Sequence, residues 1–201
     1  MEKRMRRSIT AIATVLLLTL SSSAQQAGQE QSPAVREINV AGGGRIKIPD
    51  LLLSDQDGRK VRFYSDLIQD KVVVLNFVYT SCYYRCTRQG KILSDLQSLL
   101  GERLGKSVIL ISVTTDPAKD TPAQLKAWSK RFNAQPGWTL VTGEVTAMNS
   151  LLLPFTGSSA GGGTHLPATF IGNDKTGVWI SGAGNFTSQE LLTAVDYVTK
   201  K

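Results

Sequence analysis

From about residue 45 onward, short apolar stretches alternate with longer segments that are apolar on one side only. Residues 46–53 and 60–63 flank Asp55-Gln56-Asp57-Gly58, a turn sequence that predicts a hairpin. Residues 72–78 form a nearly unbroken β-branched and aromatic run, the pattern of a central strand buried on both faces. Leu93, Leu96, Leu99 and Leu100 then recur at helical spacing and predict a helix from about Cys86 to Leu100. A second buried strand is expected at 108–113. Thr121-Pro122-Ala123-Gln124 joins a capping box to a proline at the first helical position, and Leu125, Trp128 and Phe132 mark that helix's inner face. Residues 138–141 and 168–171 read as strands, 173–177 as a turn, and 178–181 as the strand that follows it. Thr187-Ser188-Gln189-Glu190 is a second capping box, opening a final helix with Leu191, Leu192, Val195 and Val198 inside.

Strands separated by helices imply a parallel sheet with helices on both faces, and the short last turn implies an antiparallel pair before the closing helix. This order predicts an α/β, thioredoxin-like fold with an N-terminal β-hairpin extension and an inserted Gly-rich loop at 157–163. Ahead of it, Lys3 to Arg7 form a positive segment, residues 9–20 an apolar one, and Ser22 and Ala24 stand where a signal peptidase would read. Twelve apolar residues fall short of the roughly 20 that cross a bilayer, so a cleaved signal peptide over 1–24 is the first reading and an uncleaved anchor the second. Because no cysteine follows the apolar segment, a lipid anchor is not expected. Polar residues 25–32 and the glycines of 41–44 then read as a flexible tether over 25–44, with the folded domain over 45–201.

Charge removes one class of function. The net charge of +7 includes +3 from residues 1–24, where four cations face Glu2, and the remaining +4 is an ordinary solubility charge. With no basic run interleaved with aromatics, nucleic-acid binding is not expected. The composition, 41% hydrophobic and 19% charged over 201 residues, suits one globular domain plus an export segment.

The chemistry concentrates after the first central strand, in Thr80-Ser81-Cys82-Tyr83-Tyr84-Arg85-Cys86, which holds both cysteines of the chain. At a helix start, Cys82 gains thiolate character from the helix dipole. The i, i+4 spacing brings two partly exposed sulfurs within reach of each other, for a disulfide or for a shared soft metal. A purely structural disulfide is the plainer alternative for an exported protein, but a bridge across one turn closes too small a loop to constrain the chain much. Tyr83, Tyr84 and Arg85 read as a docking surface.

His165 is the one histidine, between the glycines of 157–163 and Leu166-Pro167. A lone histidine is more often a surface or capping residue than a ligand. In a thioredoxin fold, however, the segment entering the strand at 168 faces the cysteine-bearing helix, and a glycine loop could carry His165 onto the two sulfurs. Pro167 stands where such folds place a cis-proline against the active site. Cys, Cys and His form a donor set suited to Cu(I) and tolerable for Cu(II), whereas zinc usually takes four ligands.

Residues 74–86, with their CxxxC, resemble the Sco (SenC/PrrC) family across roughly 45–200, as do Thr115-Asp116-Pro117-Ala118-Lys119-Asp120-Thr121-Pro122 and Leu140-Val141-Thr142-Gly143. The resemblance implies one copper per chain on Cys82, Cys86 and His165, and a metallochaperone serving the copper site of cytochrome c oxidase, whose copper subunit would be the partner. It also implies a location in the periplasm or on the outer face of the cytoplasmic membrane. The alternative is an extracytoplasmic thiol-disulfide oxidoreductase in which Cys82 and Cys86 form the redox dithiol and Pro167 shapes the substrate groove, with no required metal. Asp116 either ends its strand, as a residue before proline tends to, or approaches the copper loop as the family pattern suggests. A thiol peroxidase is disfavoured, because Tyr79 stands where such enzymes carry threonine.

Overall fold

The computed structural model describes residues 35–41, 44–160, 168–183 and 186–201, all within the compact unit Pro33–Lys201. In chain order its elements are β1 (Val35–Ala41), β2 (Gly44–Pro49), β3 (Leu52–Asp55), β4 (Lys60–Arg62), β5 (Val72–Val78), α1 (Arg85–Leu100), β6 (Val108–Thr114), α2 (Pro122–Arg131), β7 (Trp138–Thr142), α3 (Val145–Thr156), β8 (Ala168–Asn173), β9 (Val178–Ala183) and α4 (Ser188–Thr199). The strands form one sheet in the order β2-β1-β9-β8-β5-β6-β7-β3-β4.

Strand β5 sets the two layers. All seven of its side chains are buried, and alternate ones point to opposite faces. Val73, Leu75 and Phe77 pack with Ile111 and Val113 of β6 and with Met148, Leu151, Leu152 and Phe155 of α3. Val72, Val74 and Val78 pack instead with Leu93 and Leu96 of α1, Leu125 and Trp128 of α2, and Val195 and Val198 of α4. On that second face Asn76 replaces an apolar residue. Its side-chain oxygen accepts from Ser112 Oγ at 2.7 Å, and Ser112 Oγ accepts from Trp138 Nε1 at 3.0 Å.

Pairing is mixed, not all-parallel. Strands β5, β6 and β7 run parallel, while β8 is antiparallel to both β5 and β9. The central β9-β8-β5-β6 order, with α1 after β5 and α4 after β9, is the thioredoxin-like arrangement expected. Both capping boxes are present, on Thr121 with Gln124 and on Thr187 with Glu190.

Three expectations change. The tether over 25–44 is too long, because Val35–Ala41 is β1, paired antiparallel with β2 and parallel with β9. Ile38 and Val40 enter the core, and Arg36 Nε sits 3.3 Å from buried Asp174 Oδ1. The stretch 46–53 is not one strand. It breaks at Asp50-Leu51 into β2 and β3, near opposite ends of the sheet order. Seven strand spacings of about 4.8 Å would separate them in a flat sheet by roughly 34 Å, whereas a two-residue link spans about 10 Å, so the sheet must curl. Third, α3 was not foreseen. Its apolar run Leu151-Leu152-Leu153-Pro154-Phe155 lacks a helical polar stripe and contains a proline. Burial of four large side chains, roughly 1.5–3 kcal/mol each, outweighs those local signals.

Candidate functional site

The site begins where β5 ends. A turn, closed by Cys82 N–H donating to Tyr79 O at 3.1 Å, carries the chain into α1. Tyr84, the N-cap residue, offers no side-chain cap. The Cys82 sulfur takes that part instead, accepting the Cys86 N–H at 3.1 Å. No disulfide joins the two cysteines, and both side chains are buried, contrary to the partial exposure expected, with 4% and 2% accessible. Tyr83 and Tyr84 cover nothing themselves: they are 87% and 80% exposed.

The hydrogen bonds make the two thiols unequal. Burial opposes ionisation of Cys82, but donation from the Cys86 thiol and amide, the Tyr79 hydroxyl and the Tyr84 amide outweighs it and lowers its pKa. Burial pushes Cys86 the other way, up to about 12, and its role as donor to Cys82 adds to the shift. Tyr79 is likewise raised to about 12 by burial and by its bond to Cys82. Of the two, Cys82 is the more acidic thiol and Cys86 the one that holds its proton more tightly. Two adjacent thiols are a donor pair that suits a soft metal ion.

A carboxylate that sequence reading passed over fixes this loop. Asp120, 1% exposed, accepts the Thr80 N–H at 3.1 and 3.2 Å and the hydroxyls of Thr80 and Thr114. It ties the residue two before Cys82 to the end of β6. Asp116 does less at the site: its carboxylate pairs with Lys119 at 3.3 Å, and its carbonyl accepts the Asp120 N–H at 2.8 Å. Its backbone and ion pair agree with the strand-ending role. Both aspartates lie in the 115–122 motif, so the signal for Asp120 was on the page without its direction. Tyr79 was noticed only for what it is not.

His165 and Pro167, expected to complete the site, lie outside the described residues, and so do residues 161–163 of the Gly-rich loop. Among the described residues no group of three His, Cys, Asp or Glu side chains is placed to hold a metal. The arrangement that is described is therefore a dithiol whose two members differ in acidity, Cys82 lowered and Cys86 raised.

Comparison with known proteins follows the same residues. The SCO1/SenC family model matches residues 44–160. A protein of Stutzerimonas stutzeri named for copper binding is 27% identical over 176 residues, 86% of this chain and 78% of that one. A Bacillus subtilis SCO1 homologue is 30% identical over 112 residues, 52% of this chain and 56% of the relative, so the chain spans little more than half of it. Among solved structures, Bradyrhizobium japonicum ScoI with copper bound superposes with a TM-score of 0.59 at 20% identity, over 73% of this chain and 96% of that one. BsSco, described as a member of the Sco family of cytochrome c oxidase assembly proteins with a disulfide switch, gives 0.60 at 20% identity, over 86% and 99%. At such identities the structural likeness establishes the fold.

Proposed function

The chain belongs to the SCO1/SenC family, and from that premise we propose that it is an exported copper-binding protein serving assembly of the cytochrome c oxidase copper site. One copper ion, the cargo, is held by Cys82, Cys86 and His165. The observation that carries the reading is the Cys82 sulfur, which accepts the Cys86 N–H at the start of α1 with the second thiol beside it. The names of relatives support the cargo, since a homologue is named for copper binding and a fold neighbour was solved with copper. In this scheme the residues do simple work. Cys82 offers a ready thiolate, Cys86 gives up its proton as the metal displaces it, and Tyr79 and Asp120 hold the loop in place.

A second reading has its own observation. A lowered and a raised thiol in one pair is the pattern of a dithiol reductase, in which the first cysteine attacks and the second resolves. Titrating the reduced protein and His165→Ala with copper under competing chelators separates the two. A copper protein binds one ion per chain, and His165→Ala loses most of its Cu(II) affinity but less of its Cu(I) affinity, because two thiolates alone hold Cu(I). Binding that is absent, or indifferent to His165, sinks the proposal. A reductase instead tolerates His165→Ala in disulfide reduction and suffers more from Pro167→Ala.

Export rests on residues 1–24. Intact mass of the protein recovered from its native envelope should begin near Gln25, and a mass retaining those residues makes the segment an anchor.

A further inference from the structure

The exposed side of α1 does not end at solvent in the ordinary way. Between it and the end of α2 lies an open cleft of about 750 Å³, lined among others by Tyr83, Tyr84, Arg88, Lys91, Asp95 and Arg131. Tyr83, Tyr84 and Thr87 of its lining are chain neighbours of Cys82 and Cys86, and Arg131 also lines a separate, smaller recess with Thr80 and Trp128. Gly90 permits the close approach of α1 here: a Cβ at that position would meet the Phe132 ring at 2.6 Å.

The charge of the cleft has one sign. Asp95 is the single acid of its lining and is engaged by Lys91 at 3.5 Å. No other acid of the lining faces Arg88 and Arg131, and Arg85, exposed as well, follows Tyr84 in the chain. The Arg131 guanidinium lies 5.6 Å from the centre of the Phe132 ring, which orients it along the wall. Tyr83 and Tyr84 are large, stiff side chains with about four-fifths or more of their surface in water, the kind of residue that anchors protein contacts.

We propose that this cleft is the docking groove for an extended acidic segment of a client protein, one that brings a disulfide to Cys82. The inference deepens the proposed function, on whose dithiol it rests, by naming the chemical class of the partner. In the exchange, the Cys82 thiolate attacks one client sulfur, forming a mixed disulfide and releasing a client thiolate. That thiolate takes up a proton. Cys86 then loses its proton and attacks the Cys82 sulfur, which closes the Cys82–Cys86 disulfide and releases the second client sulfur as a thiol. Two electrons pass from the protein dithiol to the client disulfide, and no other reductant enters. A reduced client pair is then ready to receive metal.

Two synthetic peptides, each cyclised by one disulfide and flanked by glutamates in one case and lysines in the other, serve as probes. The reduced protein should reduce the glutamate peptide faster by about tenfold or more at low ionic strength, the range that electrostatic steering gives. The preference should collapse at about 0.5 M salt, where the screening length is only a few ångströms. In Arg88→Glu/Arg131→Glu it should invert, while reduction of the small neutral 2-hydroxyethyl disulfide continues at the wild-type rate. Equal rates for the two peptides overturn the groove, and so does a preference that survives high salt or charge reversal. The salt series on the unaltered protein decides the matter if the double variant folds poorly. Copper titration of the same samples keeps the two proposals apart. Charge discrimination without copper binding removes the cargo and leaves the groove, whereas copper binding without discrimination does the reverse.

Discussion

Asp120→Ala is expected to melt about 10 °C below the wild type and to lose the ordered approach to Cys82. The carboxylate is 1% exposed and accepts the Thr80 amide and the Thr80 and Thr114 hydroxyls. Truncation leaves three donors without their acceptor, the buried Thr114 hydroxyl and the half-buried Thr80 amide and hydroxyl, at roughly 1–3 kcal/mol each and least where water can reach. The hydroxyls can rotate toward other acceptors and the amide cannot, so the net cost is about 3 kcal/mol. For a domain of this size each kcal/mol shifts the melting point by about 2–4 °C. Asp120→Asn tests whether the role goes beyond stability. The amide keeps one acceptor oxygen and most of the packing but removes a negative charge that raises the Cys86 pKa. Cys86 should then react with alkylating agents at lower pH in Asp120→Asn than in the wild type, with a smaller loss of melting temperature than in Asp120→Ala. A variant that melts normally with an unaltered Cys86 profile would show that Asp120 is a bystander to the thiols.

How much of this was legible in the chain depends on the range over which each signal acts. Capping boxes are local, and Thr121 with Gln124 and Thr187 with Glu190 were read directly. Strands β5 and β6 were equally plain, because burial on both faces leaves an unbroken apolar run. The edges were not. Val35–Ala41 mixes charged and apolar residues beside glycines, and it becomes a strand by pairing with β2 along its length and with Trp179 and Ile180 of β9 at its end. Asp50-Leu51 hides a change of sheet edge that nothing local announces; Asp50 reveals its part only by accepting the Tyr64 and Ser65 amides, at 3.0 Å each. At the site, the cysteine pair and the acidity of Cys82 were legible from spacing and position at a helix start, whereas the raised Cys86, set by burial and donation to Cys82, was not. The contributions of Tyr79 and Asp120 depend on where side chains point, which spacing does not give.

That inequality leads to the larger effect. In the reduced, metal-free protein, iodoacetamide at pH 7 should modify Cys82 at least about thirtyfold faster than Cys86. Cys82 ionises below its ordinary value of 9.0, so at least about 1% is thiolate at pH 7, whereas Cys86, at about 12, holds roughly one thiolate in a hundred thousand. The ratio of populations is thus a thousand or more. The more basic Cys86 thiolate is the stronger nucleophile once formed, which returns roughly 15- to 30-fold across three pKa units. At least about thirtyfold remains and decides the order of attack. The sign with pH follows. Cys82 reactivity has its midpoint below pH 9, while Cys86 reactivity keeps rising until the pH approaches 12. In Cys82→Ser, Cys86 no longer donates to a neighbouring thiolate, and its profile should move to lower pH without reaching that of Cys82, because burial persists. Peptide mapping of the alkylated protein across pH reads both sites at once. Modification of Cys86 first, or at an equal rate, would contradict the hydrogen-bond pattern on which the nucleophile was assigned.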